Sequence, residues 1–204
     1  MRAGYTGYID VNTIIDEKGT PWPLEFTMRP GWPTFNIQQE LHEGDCVQWL
    51  ADLADGIDAE NVKMDEVAVG VVMSIPDYPY SHLTRKEVTG IPVYNTEEDW
   101  EHIHPCEMME GEAPDQKTLK SVKMPATAGD YVLVMSASGE TIKEARDLTY
   151  KRLKKLVIPN SPSYRTDIGD RLEKQLPKLQ AHGYAEGLKF TGGEKTKSLK
   201  SIAA

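Results

Sequence analysis

The run Glu66–Ile75 constrains the fold of this chain more than any other stretch. It is almost continuously apolar, with Val67, Val69, Val71, Val72 and Met73 in close succession. A run of this length, rich in β-branched residues and closed by Pro76-Asp77-Tyr78-Pro79, reads as a central strand covered on both faces. Two further strands are expected at Leu119–Met124 and Tyr131–Ser138, separated by a turn at Ala128-Gly129-Asp130. Glu101–Glu110 alternates well enough for another, and a short one is expected near Val93. Strands in succession and then helices predict an α+β fold, a small mostly antiparallel sheet with helices on one face.

The helices have readable ends. Thr141 and Glu144 stand at the N-cap and N3 spacing of a capping box, and Ile142, Ala145, Thr149, Leu153 and Leu156 then share a face. Asp45 is a suitable N-cap for an earlier helix with the stripe Val47, Leu50, Ala51 and Ala54, stopped at Gly56. A short helix fits 36–43, with Ile37 and Leu41 at helical spacing. A last helix is expected over about 166–182, with the stripe Ile168, Leu172, Leu176 and Leu179. Pro177 should kink or break it near residue 173, and Gly183 should end it. From Gly187 onward the chain is rich in Lys, Gly, Ser and Thr and is expected to be disordered.

Ahead of all this lie two shorter strands. Tyr8–Ile15 is β-branched, and Pro23–Arg29 follows after the polar loop Asp16-Glu17-Lys18-Gly19-Thr20, so the two form a hairpin. Alternation puts Asp10 and Asn12 on one face of the first strand and Glu25, Thr27 and Arg29 on one face of the second. Leu24, Phe26 and Met28 point the other way and are expected to pack on a core. Oxygen ligands on rigid strands suit Mg²⁺ (or Mn²⁺), and a nearby guanidinium suits a phosphate or acyl phosphate. The plain alternative is a solvated acidic face, the commoner meaning of paired carboxylates on a hairpin.

Composition narrows the rest. In 204 residues, 32 acidic side chains against 23 basic ones give a net charge of −9, so no domain-wide basic surface exists for nucleic acid. Two cysteines, Cys46 and Cys106, are too few for a disulfide scaffold and fit a reducing, cytoplasmic setting. No apolar run reaches membrane-spanning length. His102, His104 and Cys106 fall at alternate positions and could line one strand face as zinc ligands. No second cluster stands ready to complete such a site. Lys151-Arg152-Leu153-Lys154-Lys155 reads as the solvated face of a helix rather than an anion site.

The hairpin resembles the end of the ATP-grasp domain of phosphoribosylamine–glycine ligases (glycinamide ribonucleotide synthetases). That family reads Glu-Phe-Asn-x-Arg-x-Gly-Asp-Pro-Glu where this chain reads Glu25-Phe26-Thr27-Met28-Arg29-Pro30-Gly31-Trp32-Pro33-Thr34. Thr27 replaces a metal-binding asparagine, and Trp32 and Thr34 replace acidic residues. The resemblance continues in order through Gly44-Asp45-Cys46-Val47, Ala68–Ser74, Tyr78-Pro79, Gly139–Ala145 and Tyr164-Arg165-Thr166-Asp167-Ile168-Gly169. It covers about residues 4–172, and His104 stands where the family has a Phe-His-Ala-Gly strand.

The resemblance implies the carboxyl-terminal portion of a ligase that uses ATP and Mg²⁺ in purine biosynthesis. In that reaction glycine is activated as its acyl phosphate and captured by the amine of phosphoribosylamine. It assigns Glu25, Asn12, Asp10 and Thr27 to the metal and Arg29 to phosphate. The expected layout is the terminal part of the ATP-grasp domain over 1–56, a carboxyl-terminal sheet-plus-helix domain over 57–186, and a tail over 187–204. The chain shows no glycine-rich phosphate loop, so the amino-terminal and ATP-binding lobes are expected from the same or another chain, as partners beside the small-molecule substrates. Two other readings stay open: a non-catalytic interaction module descended from the ligase, and a ligase part serving a different amino acid and amine.

Overall fold

The computed structural model describes residues 4–57, 62–76, 78–80, 86–159 and 162–192. Among them the order is β1 (Asp10–Ile15), β2 (Pro21–Thr27), α1 (Thr34–Gln38), α2 (Cys46–Ala54), β3 (Val67–Ser74), β4 (Ile103–Pro105), β5 (Met108–Pro114), β6 (Ser121–Thr127), β7 (Tyr131–Gly139), α3 (Ile142–Leu153) and α4 (Leu172–Gln180). All the pairings are antiparallel: β1 with β2, β3-β7-β4 in that order, and β5 with β6. The expected mixture of helices with small antiparallel sheets is what the chain forms.

The centre of the main sheet is β7, not β3. Val132, Leu133, Val134, Met135, Ser136 and Ala137 are all fully buried, whereas β7 is the one strand beside β3 among the described residues, apart from a single bridge from Ser74 to Ser163. The apolar run at β3 arises because both its faces are covered. Val71 and Met73 pack with Leu133, Met135, Tyr150 and Leu153 in one core under α3. On the opposite face Ile37 of α1 sits over Gly70, where a Cβ would run into Ile37 Cγ1. Gly70 therefore admits α1 to the sheet. Each large core side chain contributes roughly 1.5–3 kcal/mol by burial, so the α3 side carries most of the stability.

Helix α3 starts as expected. The Thr141 side chain accepts from Glu144 N, and the Glu144 carboxylate accepts from Thr141 N at 3.2 Å. Two more of its amino-terminal N–H groups are satisfied from a distance: Ile142 and Lys143 donate to the carbonyls of Lys189 and Phe190. The tail expected to be disordered from Gly187 is thus held against α3 at Lys189 and Phe190, and its remainder, 193–204, lies outside the described residues. Helix α4 begins at Leu172, later than expected, and retains Pro177 inside it. Gly183, at φ 82°, follows its end.

Three expectations are corrected. Helix α2 is capped by Asp45, which accepts from Val47 N and Gln48 N. Yet it turns Cys46, Trp49 and Leu53 inward and leaves Val47, Leu50, Ala51 and Ala54 exposed. Its residues are apolar on nearly every side, so the stripe alone did not define an inner face. The expected strand over 101–110 is divided: Trp100–His102 is a 3-10 turn, β4 spans three residues, and β5 begins at Met108. The expected strand near Val93 is reduced to single bridges, Pro92 to Ala126 and Tyr94 to Val157. No helix among the described residues is long and apolar enough to cross a membrane.

Candidate functional site

The hairpin is built at its turn by Asp16. Its carboxylate accepts from Lys18 N and Thr20 N, each at 2.9 Å, and from Trp22 Nε1 at 3.0 Å. The Trp22 bond, with Thr20 next, holds its carboxyl below the usual range. Gly19 takes φ 80° there, and its missing side chain leaves room for the His182 imidazole. Tyr184 adds a second clasp, its hydroxyl donating to Gly19 O at 3.0 Å.

Between turn and exit, the register places Asp10 opposite Thr27 and Asn12 opposite Glu25. These two pairs flank Val11 and Phe26, so all four polar side chains emerge on one face. Asn12 Nδ2 donates to Glu25 Oε1 at 3.1 Å, and Thr27 Oγ1 donates to Asp10 Oδ2 at 3.5 Å. That geometry leaves the Asn12 carbonyl oxygen and one Glu25 oxygen free to bind elsewhere. Gly31, buried just past the strand, comes back beside the Asp10 carboxylate. Arg29 is exposed, and its guanidinium makes a 3.5 Å contact with Pro30 O. Two carboxylates and an amide carbonyl are hard oxygen donors, so the set fits Mg²⁺ by chemistry. Among the described residues, no group of three His, Cys, Asp or Glu side chains is arranged to hold a metal ion.

The other side of the hairpin corrects the expected packing. Leu24, Phe26 and Met28 are 64%, 70% and 59% exposed. Nothing in the described residues covers them. Among residues 4–57 only Gly31 is buried as a whole residue, though the Glu40 side chain is tucked in. The hairpin and α2 thus present apolar faces to solvent, while the buried core lies within residues 71–158, in the later strands, α3 and the segments that join them.

His102, His104 and Cys106 do not line a common strand face. His102 lies in the 3-10 turn and meets the Glu40 carboxylate, Nδ1 to Oε1 2.9 Å. His104 lies in β4, with Nε2 2.6 Å from Ser136 Oγ. Burial holds its imidazole below the ordinary histidine range, partly offset by the charge of Glu40. Burial likewise pushes the Cys106 thiol up to about 11, so it stays protonated and weakly nucleophilic at neutral pH. Lys151 and Lys154 are exposed as expected, but Arg152 turns inward, donating to Ser136 O at 3.0 Å and approaching Asp99.

Sequence reasoning missed Glu40 and Ser136, which meet at 2.5 Å in the buried region between α1 and β7. Their signals were present. Glu40 lies three residues after Ile37, on the side of the turn that faces the sheet. Ser136 is the one hydroxyl within the most apolar stretch of β7.

Residues 68–171, about half of the chain, match the family model "Phosphoribosylglycinamide synthetase, C domain". A phosphoribosylamine–glycine ligase of Salmonella typhimurium is 31% identical over 169 residues, which are 82% of this chain and 37% of that protein. The ligase of Ralstonia nicotianae is 30% identical over the same shares. A crystal structure of phosphoribosylamine–glycine ligase from Thermotoga maritima shares the fold. Its TM-score is 0.58 at 24% identity, covering 78% of this chain and 36% of that one. The chain therefore spans little more than a third of the length of these relatives. On the family match and the shared fold, this chain belongs to the phosphoribosylglycinamide synthetase C-domain family.

Proposed function

We propose that this chain is the carboxyl-terminal part of an ATP-dependent ligase that joins glycine to phosphoribosylamine, giving glycinamide ribonucleotide, ADP and phosphate. One observation supports it above the rest: Asp10, Asn12, Glu25 and Thr27 share one open hairpin face, with Arg29 in the bend two residues past the end of β2. Glu25 and Asn12 would hold Mg²⁺, with Asp10 and the Thr27 hydroxyl as weaker ligands. Bound there, the ion neutralises charge on phosphate oxygens. Arg29 pairs with the anionic acyl phosphate, where its forked donors match phosphate oxygens. The hairpin holds these groups on rigid strands before substrate arrives, which limits reorganisation during transfer.

The remaining lobes supply the nucleotide base and most phosphate contacts, and they cover the apolar side of the hairpin. The uncovered Leu24, Phe26 and Met28 and the share of the relatives that this chain spans both favour that reading. The chain by itself is then inactive. The test is ADP release with glycine and phosphoribosylamine, with the chain alone and with the chain joined to the amino-terminal and ATP-binding lobes of a relative. Activity only in the joined form supports the reading. Turnover by the chain alone above a heat-killed control contradicts it.

A second reading is favoured by Thr27, Trp32 and Thr34, which replace the family's Asn, Asp and Glu. It makes the chain a non-catalytic module that keeps the interface without the chemistry. Lack of turnover in the joined form, despite stable association, selects it.

A further inference from the structure

The hairpin contributes nothing to the core, yet its orientation is fixed from two ends. At the turn, His182 and Tyr184 close over Gly19. At the base, the chain runs from Arg29 through Gly31 and α1 to Glu40, whose side chain is only 8% exposed. The buried carboxylate is received by two side chains, one of them held in turn by a third. Ser136 Oγ of β7 stands 2.5 Å from Glu40 Oε1, and His102 Nδ1 stands 2.9 Å from Oε1 and 3.1 Å from Oε2. His104 Nε2 of β4 stands 2.6 Å from the same Ser136 Oγ.

Counting protons fixes the direction of the chain of bonds. Ser136 has one proton, and the carboxylate is its strongest acceptor. His104 Nε2 must therefore carry hydrogen and donate to Ser136 Oγ, which donates to Glu40, and His102 Nδ1 donates to Glu40 as well. Ser136 is no nucleophile in this arrangement: it is fully buried, and its proton points to a carboxylate rather than to an imidazole base.

We infer that Glu40, Ser136, His104 and His102 form a positioning lock, which ties the base of the hairpin to the centre of the sheet and so fixes where Glu25 and Arg29 stand. The role in catalysis rests on the ligase reading; the mechanical role does not. A buried charged acceptor with two donors holds one geometry tightly, because breaking any bond strands a desolvated group. Residues that act through such a shared network couple strongly.

Hydrogen exchange on the full chain tests the lock without reference to activity. Ser136→Ala is nearly isosteric, and Glu40→Gln keeps the shape while removing the charge. Either is expected to speed exchange over residues 10–15, 21–27 and 34–42 by about tenfold or more, with β3 and β7 still protected. The double variant should exceed the larger single effect only slightly. Unchanged exchange in the hairpin and α1 in both single variants, or fully additive effects, overturns the lock. In the joined ligase, Ser136→Ala should lower kcat about tenfold or more with KM for ATP unchanged, as displacement of a catalytic group would. An unchanged kcat despite faster exchange overturns the positioning role. Failure of the ligase reading is visible separately, as lack of turnover in the joined form with Ser136 intact.

Discussion

Ile37 of α1 packs directly over Gly70 of β3, in the space that any larger residue at position 70 would take. This contact joins the hairpin-bearing segment to the sheet in the same region as the Glu40–Ser136 bond. Gly70→Ala gains a little strand propensity, but its methyl group must displace Ile37 and crowds Val134, and overpacking of this kind is the larger effect. A net loss of about 1–2 kcal/mol is expected on balance from those two terms. Combining Gly70→Ala with Ile37→Ala should cost less than the sum of the two. Urea unfolding of the four proteins checks it.

Phe26 gives the opposite expectation. At 70% exposure it behaves as a surface residue, so Phe26→Ala should change the stability of this chain by no more than about 0.5 kcal/mol. Leu133→Ala, at a fully buried position of β7, should cost about 2–5 kcal/mol. Once the hairpin is covered by the ATP-binding lobes, Phe26→Ala should become costly too, and weakened association of the two parts would show it.

Stability should depend on pH through His104. Its imidazole is held below the ordinary value of 6.5 chiefly by burial; Glu40 opposes that shift and His102 adds to it. Below the unfolded value the unfolded chain binds the proton more readily, so stability is intact above about pH 6.5 and falls as pH drops through the folded value. The groups facing this imidazole are Glu40, His102 and Ser136, with Arg152 behind them on α3. Urea midpoints from pH 8 to pH 5 should fall in the acid range, and His104→Gln should flatten part of that fall.

Much of the fold was legible because local rules and tertiary structure agree. Thr141 and Glu144 announced α3, and the alternation of Asp10, Asn12, Glu25 and Thr27 gave the shared hairpin face. The order of strands in the sheet was not legible. β3 and β7 are both apolar because both are covered on two sides, and only long-range pairing decides which is central. Burial of the hairpin's apolar face was expected from alternation alone. Alternation tells which side chains point together, but not whether another surface meets them. Glu40 and Ser136 were missed for a related reason: they are 96 positions apart, and the local signal at each does not point to the other.

The most direct measurement concerns Glu25. In the joined ligase, Glu25→Gln removes a charged oxygen where Mg²⁺ and phosphates would meet, from an exposed strand position paired with Asn12. Turnover at limiting Mg²⁺ should fall about 10²–10³-fold, the scale of losing one preorganised charge-stabilising contact. The free energy of urea unfolding should stay within about 0.5 kcal/mol of the parent, because the residue is exposed. Full turnover at limiting Mg²⁺ would contradict the account and remove the hairpin from the chemistry.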